Sequence, residues 1–111
     1  MNEVIICRLG EKVKTVKLNG IQADLLIKTN VLEIMHITIE PGASLGEPYM
    51  HVGEEAHLIL EGEIEAEITG KKYLLKTGDA ICFPSTLPHT AMNPGKERLV
   101  YCSVTVPPTF M

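Results

Sequence analysis

Turn-forming residues divide the chain into short hydrophobic segments. Glycine and proline supply most of the breaks, for example at Pro41-Gly42 and Pro94-Gly95, and they leave no uninterrupted window for an amphipathic helix. The intervening segments are rich in Ile, Val, Leu and Thr and have the lengths of β-strands. The predicted strands are residues 13–18, 32–39, 56–61, 64–68, 79–83 and 98–106.

Charged and apolar residues alternate strictly in residues 63–68, where three glutamates are interleaved with Ile64, Ala66 and Ile68. Successive side chains of a strand point to opposite faces, so one face of this strand is solvated and the other enters a core. The pattern predicts an all-β fold, an antiparallel sandwich or barrel.

The same alternation assigns the residues that follow Glu55 to the two faces of a strand. If Glu55 points inward, so does His57, whereas Leu58 and Leu60 point outward. Outward leucines in a row need cover, because a contiguous exposed apolar stripe favours association. We therefore expect a homodimer.

Length and composition limit the domain organisation and the partners. The chain has 111 residues, of which 45% are hydrophobic, enough for one core and too few for two. We expect a single domain over residues 1–111. The formal net charge is −4 and Lys and Arg do not cluster, so we expect no direct binding to nucleic acid, which depends on cations that neutralise phosphate.

The start of the chain and the cysteines bear on location. Glu3 stands where a signal peptide would be basic, and the apolar run beside it is too short for export or for a membrane span. Cys7, Cys82 and Cys102 are odd in number and form no CxxC pair, which favours reduced thiols. We expect a cytoplasmic protein without membrane contact, and we assign the cysteines no chemistry.

Two imidazoles and a carboxylate are the candidate metal ligands. His51 and Glu55 are four residues apart in one loop and strand, and His89 comes from a separate segment between prolines. Neutral imidazole and carboxylate suit one divalent transition metal, namely Fe, Mn, Ni, Zn or Cu, and a set of two His and one carboxylate leaves positions open for water or substrate. The simpler interpretation is a water-filled pocket in which these groups hydrogen-bond to one another. His36, in the strand over 32–39, fits a partly buried structural role better than a ligand role.

The motifs that contain these residues resemble those of the cupin superfamily. The first motif matches at His51, Glu55 and Gly62, and the second matches at Gly78, Pro84, His89 and Asn93. This resemblance covers nearly the whole chain and implies a double-stranded β-helix, also called a jelly-roll or cupin barrel. It also implies a metal site and a dimer, since small cupins are commonly dimers.

The chain departs from the cupin pattern at the first metal-binding His, because Tyr49 stands at that position. Two residues are candidates to replace it. The phenol of Tyr49 must lose a proton to become a ligand, whereas His57 shares the inward face with Glu55. We therefore prefer His57 as the fourth ligand, and we expect Tyr49, His51, Glu55, His57 and His89 to surround a bound ligand.

A second resemblance involves the C-terminal segment Thr105-Val-Pro-Pro-Thr-Phe110 together with the residues around Glu55 and Gly62. It is similar to the cupin domains that follow a helix-turn-helix in transcription regulators of bacteria and archaea. About a dozen residues precede the first predicted strand, so we expect a free-standing sensing domain. The resemblance implies a small-molecule binding module; the alternative is a metal-dependent cupin enzyme such as a dioxygenase, isomerase or decarboxylase.

Overall fold

The computed structural model describes residues 3–109, and all regular secondary structure in that range is β-strand. The strands are β1 (Lys14–Leu18), β2 (Ile21–Lys28), β3 (Glu33–Ile39), β4 (Glu54–Glu61), β5 (Glu63–Ile68), β6 (Lys71–Lys76), β7 (Ala80–Pro84), β8 (His89–Met92) and β9 (Leu99–Val106). Phe110, the last residue of the C-terminal motif, and the ends of the predicted domain at residues 1, 2 and 111 lie outside the described residues.

The strands form two antiparallel sheets. The larger has the order β1-β2-β3-β9-β4-β7, and the smaller has the order β6-β5-β8. Side chains from both sheets meet in one hydrophobic cluster. This architecture confirms the predicted all-β fold. Nothing helical in residues 3–109 is long and apolar enough to cross a membrane.

Each predicted strand segment overlaps an observed strand, but β2, β6 and β8 lie outside the predicted segments. In β2 the register shifts between Leu25 and Ile27, and such a bulge interrupts the alternation that marks a strand. Strand β6 begins and ends with lysine, and β8 has only four residues. These strands form because neighbouring strands pair with them, and their local sequence signal is weak.

The predicted facing of β4 and β5 is confirmed. Ile64, Ala66 and Ile68 are buried in β5. In β4 the inward-facing residues are buried, whereas Leu58 is 44% exposed and Leu60 is 45% exposed. The larger sheet therefore presents leucine on its outer face.

The core is apolar at one end of the barrel. Ile37, Tyr101 and Ile59 are paired across β3, β9 and β4 and are all buried. Ile64 of the smaller sheet packs in the same cluster and is fully buried. Burying an aliphatic side chain of this size contributes about 1.5–3 kcal/mol to stability. This end of the barrel holds the two sheets together.

The other end of the same three strands is polar. Glu33, Thr105 and Glu55 are paired across β3, β9 and β4, and each is at most 6% exposed. Glu33 accepts hydrogen bonds from the backbone N–H and the hydroxyl of Thr109, which ties the end of the described chain to this row. Buried polar groups need such partners. The candidate site lies at this polar end.

A glycine connects the loop before β4 to the C-terminal end of β9. The N–H of His51 donates to the carbonyl of Ser85 at 3.0 Å, and the N–H of Ser85 donates to the carbonyl of Gly53 at 2.8 Å. Gly53 has φ of 111°, and a Cβ atom placed there would lie 1.8 Å from the carbonyl oxygen of Val106. Only glycine allows the loop with His51 to pack this closely on β9.

Replacement of Gly53 by alanine is expected to lower the free energy of unfolding by more than about 3 kcal/mol, because it adds a backbone clash to an unfavourable φ. Gly70→Ala is the matched control: its φ is 77° but no atom lies within 4 Å of the added Cβ. This control is expected to cost about 1 kcal/mol, from φ alone. Urea denaturation of both variants measures the difference, and equal losses would contradict the proposed clash.

Candidate metal centre

Two segments of the chain, residues 51–57 and the start of β8, bring the candidate ligands together. Glu55 and His57 lie on the inner face of β4, His51 lies in the loop before β4, and His89 is the first residue of β8. A bridge between Tyr49 and His89, with hydrogen bonds of 3.0 Å in both directions, joins the loop to β8. These two segments are distant in sequence and adjacent in the fold.

His51, Glu55 and His89 converge on one point. The Nε2 atoms of His51 and His89 are each 2.7 Å from Oε2 of Glu55, and the ligand atoms of all three residues lie within 4.8 Å of one another. Glu55 is 6% exposed and His89 is 3% exposed. Among residues 3–109 this is the one group of three or more such side chains close enough to hold a metal ion.

The hydrogen bonds of His89 show that this group fits a metal. Its Nδ1 is 2.7 Å from the carbonyl oxygen of Leu87 and must donate to it, so the neutral ring carries its lone pair on Nε2. That Nε2 is buried, has no hydrogen-bond partner and faces the Glu55 carboxylate. A lone pair facing a carboxylate is unfavourable without a proton or a cation between them. A carbonyl that fixes the far nitrogen is also the usual support of a metal-bound histidine.

His57 contacts the other oxygen of the same carboxylate. Its Nε2 is 3.1 Å from Oε1 of Glu55, and the residue is 8% exposed. Neither ring nitrogen of His57 belongs to the group of mutually close ligand atoms. A role as fourth ligand stays a prediction.

Tyr49 covers the two imidazoles from the solvent side. Its ring centroid is 4.6 Å from that of His89 and 6.2 Å from that of His51, and the residue is 43% exposed. Burial of the phenol, together with the negative charge of Glu55, raises the pKa of Tyr49 to about 12. The phenol is therefore protonated at neutral pH, which disfavours its role as a ligand.

The pKa of Glu55 reflects two opposing effects. Burial alone would raise it, but the hydrogen bond from His57 and the nearby charges of His57, His89 and His51 lower it below its ordinary value. The carboxylate is accordingly ionised at neutral pH. It is the negative charge that the site offers to a cation.

Two supporting groups were not predicted from the sequence. Ser85, fully buried, anchors the loop of His51 through its backbone, and the carbonyl of Leu87 orients His89. Both lie between Pro84 and Pro88, and this proline spacing is the only local signal of a fixed turn. Backbone groups leave no side-chain pattern to detect.

The family of the chain follows from comparison with known proteins. The family model described as a cupin domain matches residues 35–106. The chain belongs to the cupin family. The predicted resemblance is confirmed, and so is the predicted barrel, since similar solved cupins are double-stranded β-helices.

Relatives of this cupin include regulators. The HTH-type transcriptional regulator PuuR of Escherichia coli (strain K12) is 34% identical over 79 residues, which are 71% of this chain and 43% of the regulator. This cupin therefore spans less than half of the matched regulator. The cupin domain of an XRE family regulator from Enterobacter cloacae has a TM-score of 0.74 at 22% identity and covers 82% of this chain and 100% of that domain.

A similar fold also occurs in a protein from Thermotoga maritima described as a predicted oxalate decarboxylase. Its TM-score is 0.78 at 23% identity, over 92% of this cupin and 98% of that chain. At this identity the likeness shows the shared fold alone.

Replacement of Glu55 by glutamine is expected to destabilise the metal-free protein in a pH-dependent way. The pKa of Glu55 is lowered in the fold, so its ionised form stabilises the fold above the ordinary value of 4.5. This contribution is lost as pH falls from that value through the lowered folded pKa. Urea denaturation between pH 7 and pH 3 is expected to show the two stabilities converging at the acid end. A constant difference across that range would contradict the assigned pKa shift.

Proposed function

We propose that this cupin binds a small molecule at a divalent transition metal held by His51, Glu55 and His89. The observation that carries the proposal is the buried Nε2 of His89, which faces the Glu55 carboxylate without a hydrogen-bond partner. A divalent cation held by His51, Glu55 and His89 would accept this lone pair and neutralise charge on the carboxylate. The donor set of two imidazoles and one carboxylate suits Fe, Mn, Ni, Zn or Cu.

The distribution of charge supports a ligand that binds through the metal. All ten Lys and Arg side chains are exposed, so no cationic side chain is buried with Glu55. A ligand oxygen that approaches Glu55 would therefore meet the metal as its positive partner. Three protein ligands leave coordination positions for such an oxygen.

The residues proposed to surround the ligand are those that contact the metal group. They are Tyr49, His51, Glu55, His57 and His89. The ring of Tyr49 packs on His89 and the residue is 43% exposed, so we place it beside the bound molecule. We take residues 1–111 to form a single cupin domain that works in the cytoplasm, where its cysteines, free in the structure, stay reduced.

We favour a sensing role for this cupin, in which it detects the bound small molecule. The matched relatives include transcription regulators, and this chain corresponds to their cupin portion. The alternative is a metal-dependent enzyme, because open positions on a metal also serve Lewis-acid catalysis. Turnover of a small acid or diol by the metal-loaded protein would favour the enzyme.

Untagged protein is expected to bind about one metal ion per chain, and His51→Ala or His89→Ala should weaken zinc binding more than about tenfold. Binding should also weaken in acid, because a metal binds the neutral form of imidazole and protons compete with it. Elemental analysis and titration calorimetry measure both effects.

Two variants serve as controls for the metal titration. His36 is half-buried in β3, between two residues that pack toward the core, so His36→Ala should leave zinc affinity unchanged. Tyr49→Phe should also have little effect, because the neutral phenol is a poor ligand. Wild-type affinity in His89→Ala, or an equal loss in His36→Ala, would rule out the proposed site.

We also propose that this cupin is a homodimer whose contact is the outer face of the larger sheet. Leu58, Leu60 and Val106 are 44%, 45% and 39% exposed on β4 and β9. Cys102 and Val104 on β9 are partly buried and lie beside β4 on the same face. A second copy that covers this surface removes apolar area from water on both partners.

Light scattering at micromolar concentration is expected to give twice the chain mass of 12.2 kDa. Leu58→Glu should shift the mass toward the monomer, because it places charge in the apolar contact. Leu74→Glu is the control, since Leu74 is 56% exposed on the smaller sheet. A wild-type mass of one chain would contradict the dimer.

A further inference from the structure

The two oxygens of the Glu55 carboxylate have different partners. Oε2 lies 2.7 Å from Nε2 of both His51 and His89. Oε1 lies 3.1 Å from Nε2 of His57. One oxygen of the carboxylate therefore contacts the two candidate ligand histidines, and the other contacts His57.

The surroundings of His57 fix which nitrogen carries its proton. The ring lies between aromatic residues, with centroid distances of 5.6 Å to Phe83 and 5.1 Å to Tyr101. Its Nδ1 is buried and has no hydrogen-bond partner, whereas Nε2 faces the carboxylate. The neutral ring is stabilised with its proton on Nε2, because only there does the N–H find an acceptor.

A protonated Nε2 donates a hydrogen bond and has no lone pair for a metal. The remaining lone pair is on Nδ1, and neither nitrogen belongs to the group formed by His51, Glu55 and His89. His57 is thus placed to hydrogen-bond to the carboxylate, whereas the other three residues are placed to bind the metal.

We propose that His57 is a positioning residue that holds Oε1 of Glu55, so that Glu55 presents only Oε2 to the metal. This inference rests on the proposed metal site and replaces the prediction that His57 is a fourth ligand. The metal then has two imidazole ligands and one carboxylate oxygen from the protein. The site keeps the remaining positions for its small-molecule ligand.

Two substitutions separate positioning from ligation. His57→Gln keeps an N–H donor that can reach Oε1, whereas His57→Leu removes the donor and keeps an apolar side chain between the two aromatic rings. Each variant is loaded with Cu²⁺, the affinity is measured by calorimetry, and electron paramagnetic resonance counts the imidazole nitrogens bound to copper. His36→Gln is the matched control for the histidine-to-glutamine change.

We expect two coordinated imidazoles in the wild type and in both variants. Affinity should fall about 10-fold to 100-fold in His57→Leu, as for the loss of a hydrogen bond that supports a metal ligand, and should stay within about threefold of wild type in His57→Gln. If His57→Leu does not fold, the nitrogen counts of the wild type and His57→Gln still decide.

Three results would overturn the inference. Three imidazoles in the wild type that fall to two in His57→Gln would make His57 a ligand, and the metal site itself would stand. Unchanged affinity in a folded His57→Leu would show that the hydrogen bond has no effect on the site. A wild-type protein that binds no copper would overturn the metal site together with this inference.

Discussion

One buried carboxylate determines how the polar end of this barrel is built. Glu55 is 6% exposed and ionised, and an ionised group in that environment requires compensation. Three imidazoles contact it, two at Oε2 and one at Oε1, and the hydrogen bond from His57 stabilises its charge. Two of these rings are oriented by their surroundings. The carbonyl of Leu87 orients His89, and aromatic packing orients His57. The positions of the three imidazoles, and of the groups that orient them, are therefore explained by this charge.

The barrel can accommodate such a site because its two ends have different composition. Stability comes from the apolar end, where Ile59 and Tyr101 are buried against the smaller sheet. The same strands continue into polar residues at the other end, where Glu55 and Thr105 are paired. A rigid hydrophobic core therefore fixes the strands whose next residues form the site. Binding residues on strands are more precisely placed than residues on loops alone.

The one candidate ligand that comes from a loop is secured by backbone contacts. His51 precedes β4, and its N–H is bonded to Ser85. The close approach of Gly53 to Val106 packs the same loop on β9. The short segment between Pro84 and Pro88 therefore serves both imidazoles, since it anchors His51 and orients His89. Packing of this kind limits the freedom of the loop without adding any charged group.

The sequence by itself determined the all-β fold and the facing of β4 and β5, because alternation is a local property of the chain. Its motif spacing also nominated His51, Glu55 and His89 as candidate ligands. It did not predict strands β2, β6 and β8, which depend on pairing with neighbouring strands. Tertiary structure alone decided which oxygen of Glu55 each imidazole meets, and it alone revealed Ser85 and the carbonyl of Leu87 as supports. Two of those contacts, His51 with Ser85 and His89 with Glu55, join segments far apart in sequence. All of them depend on distances of about 3 Å, which the assignment of a residue to one face of a strand does not fix.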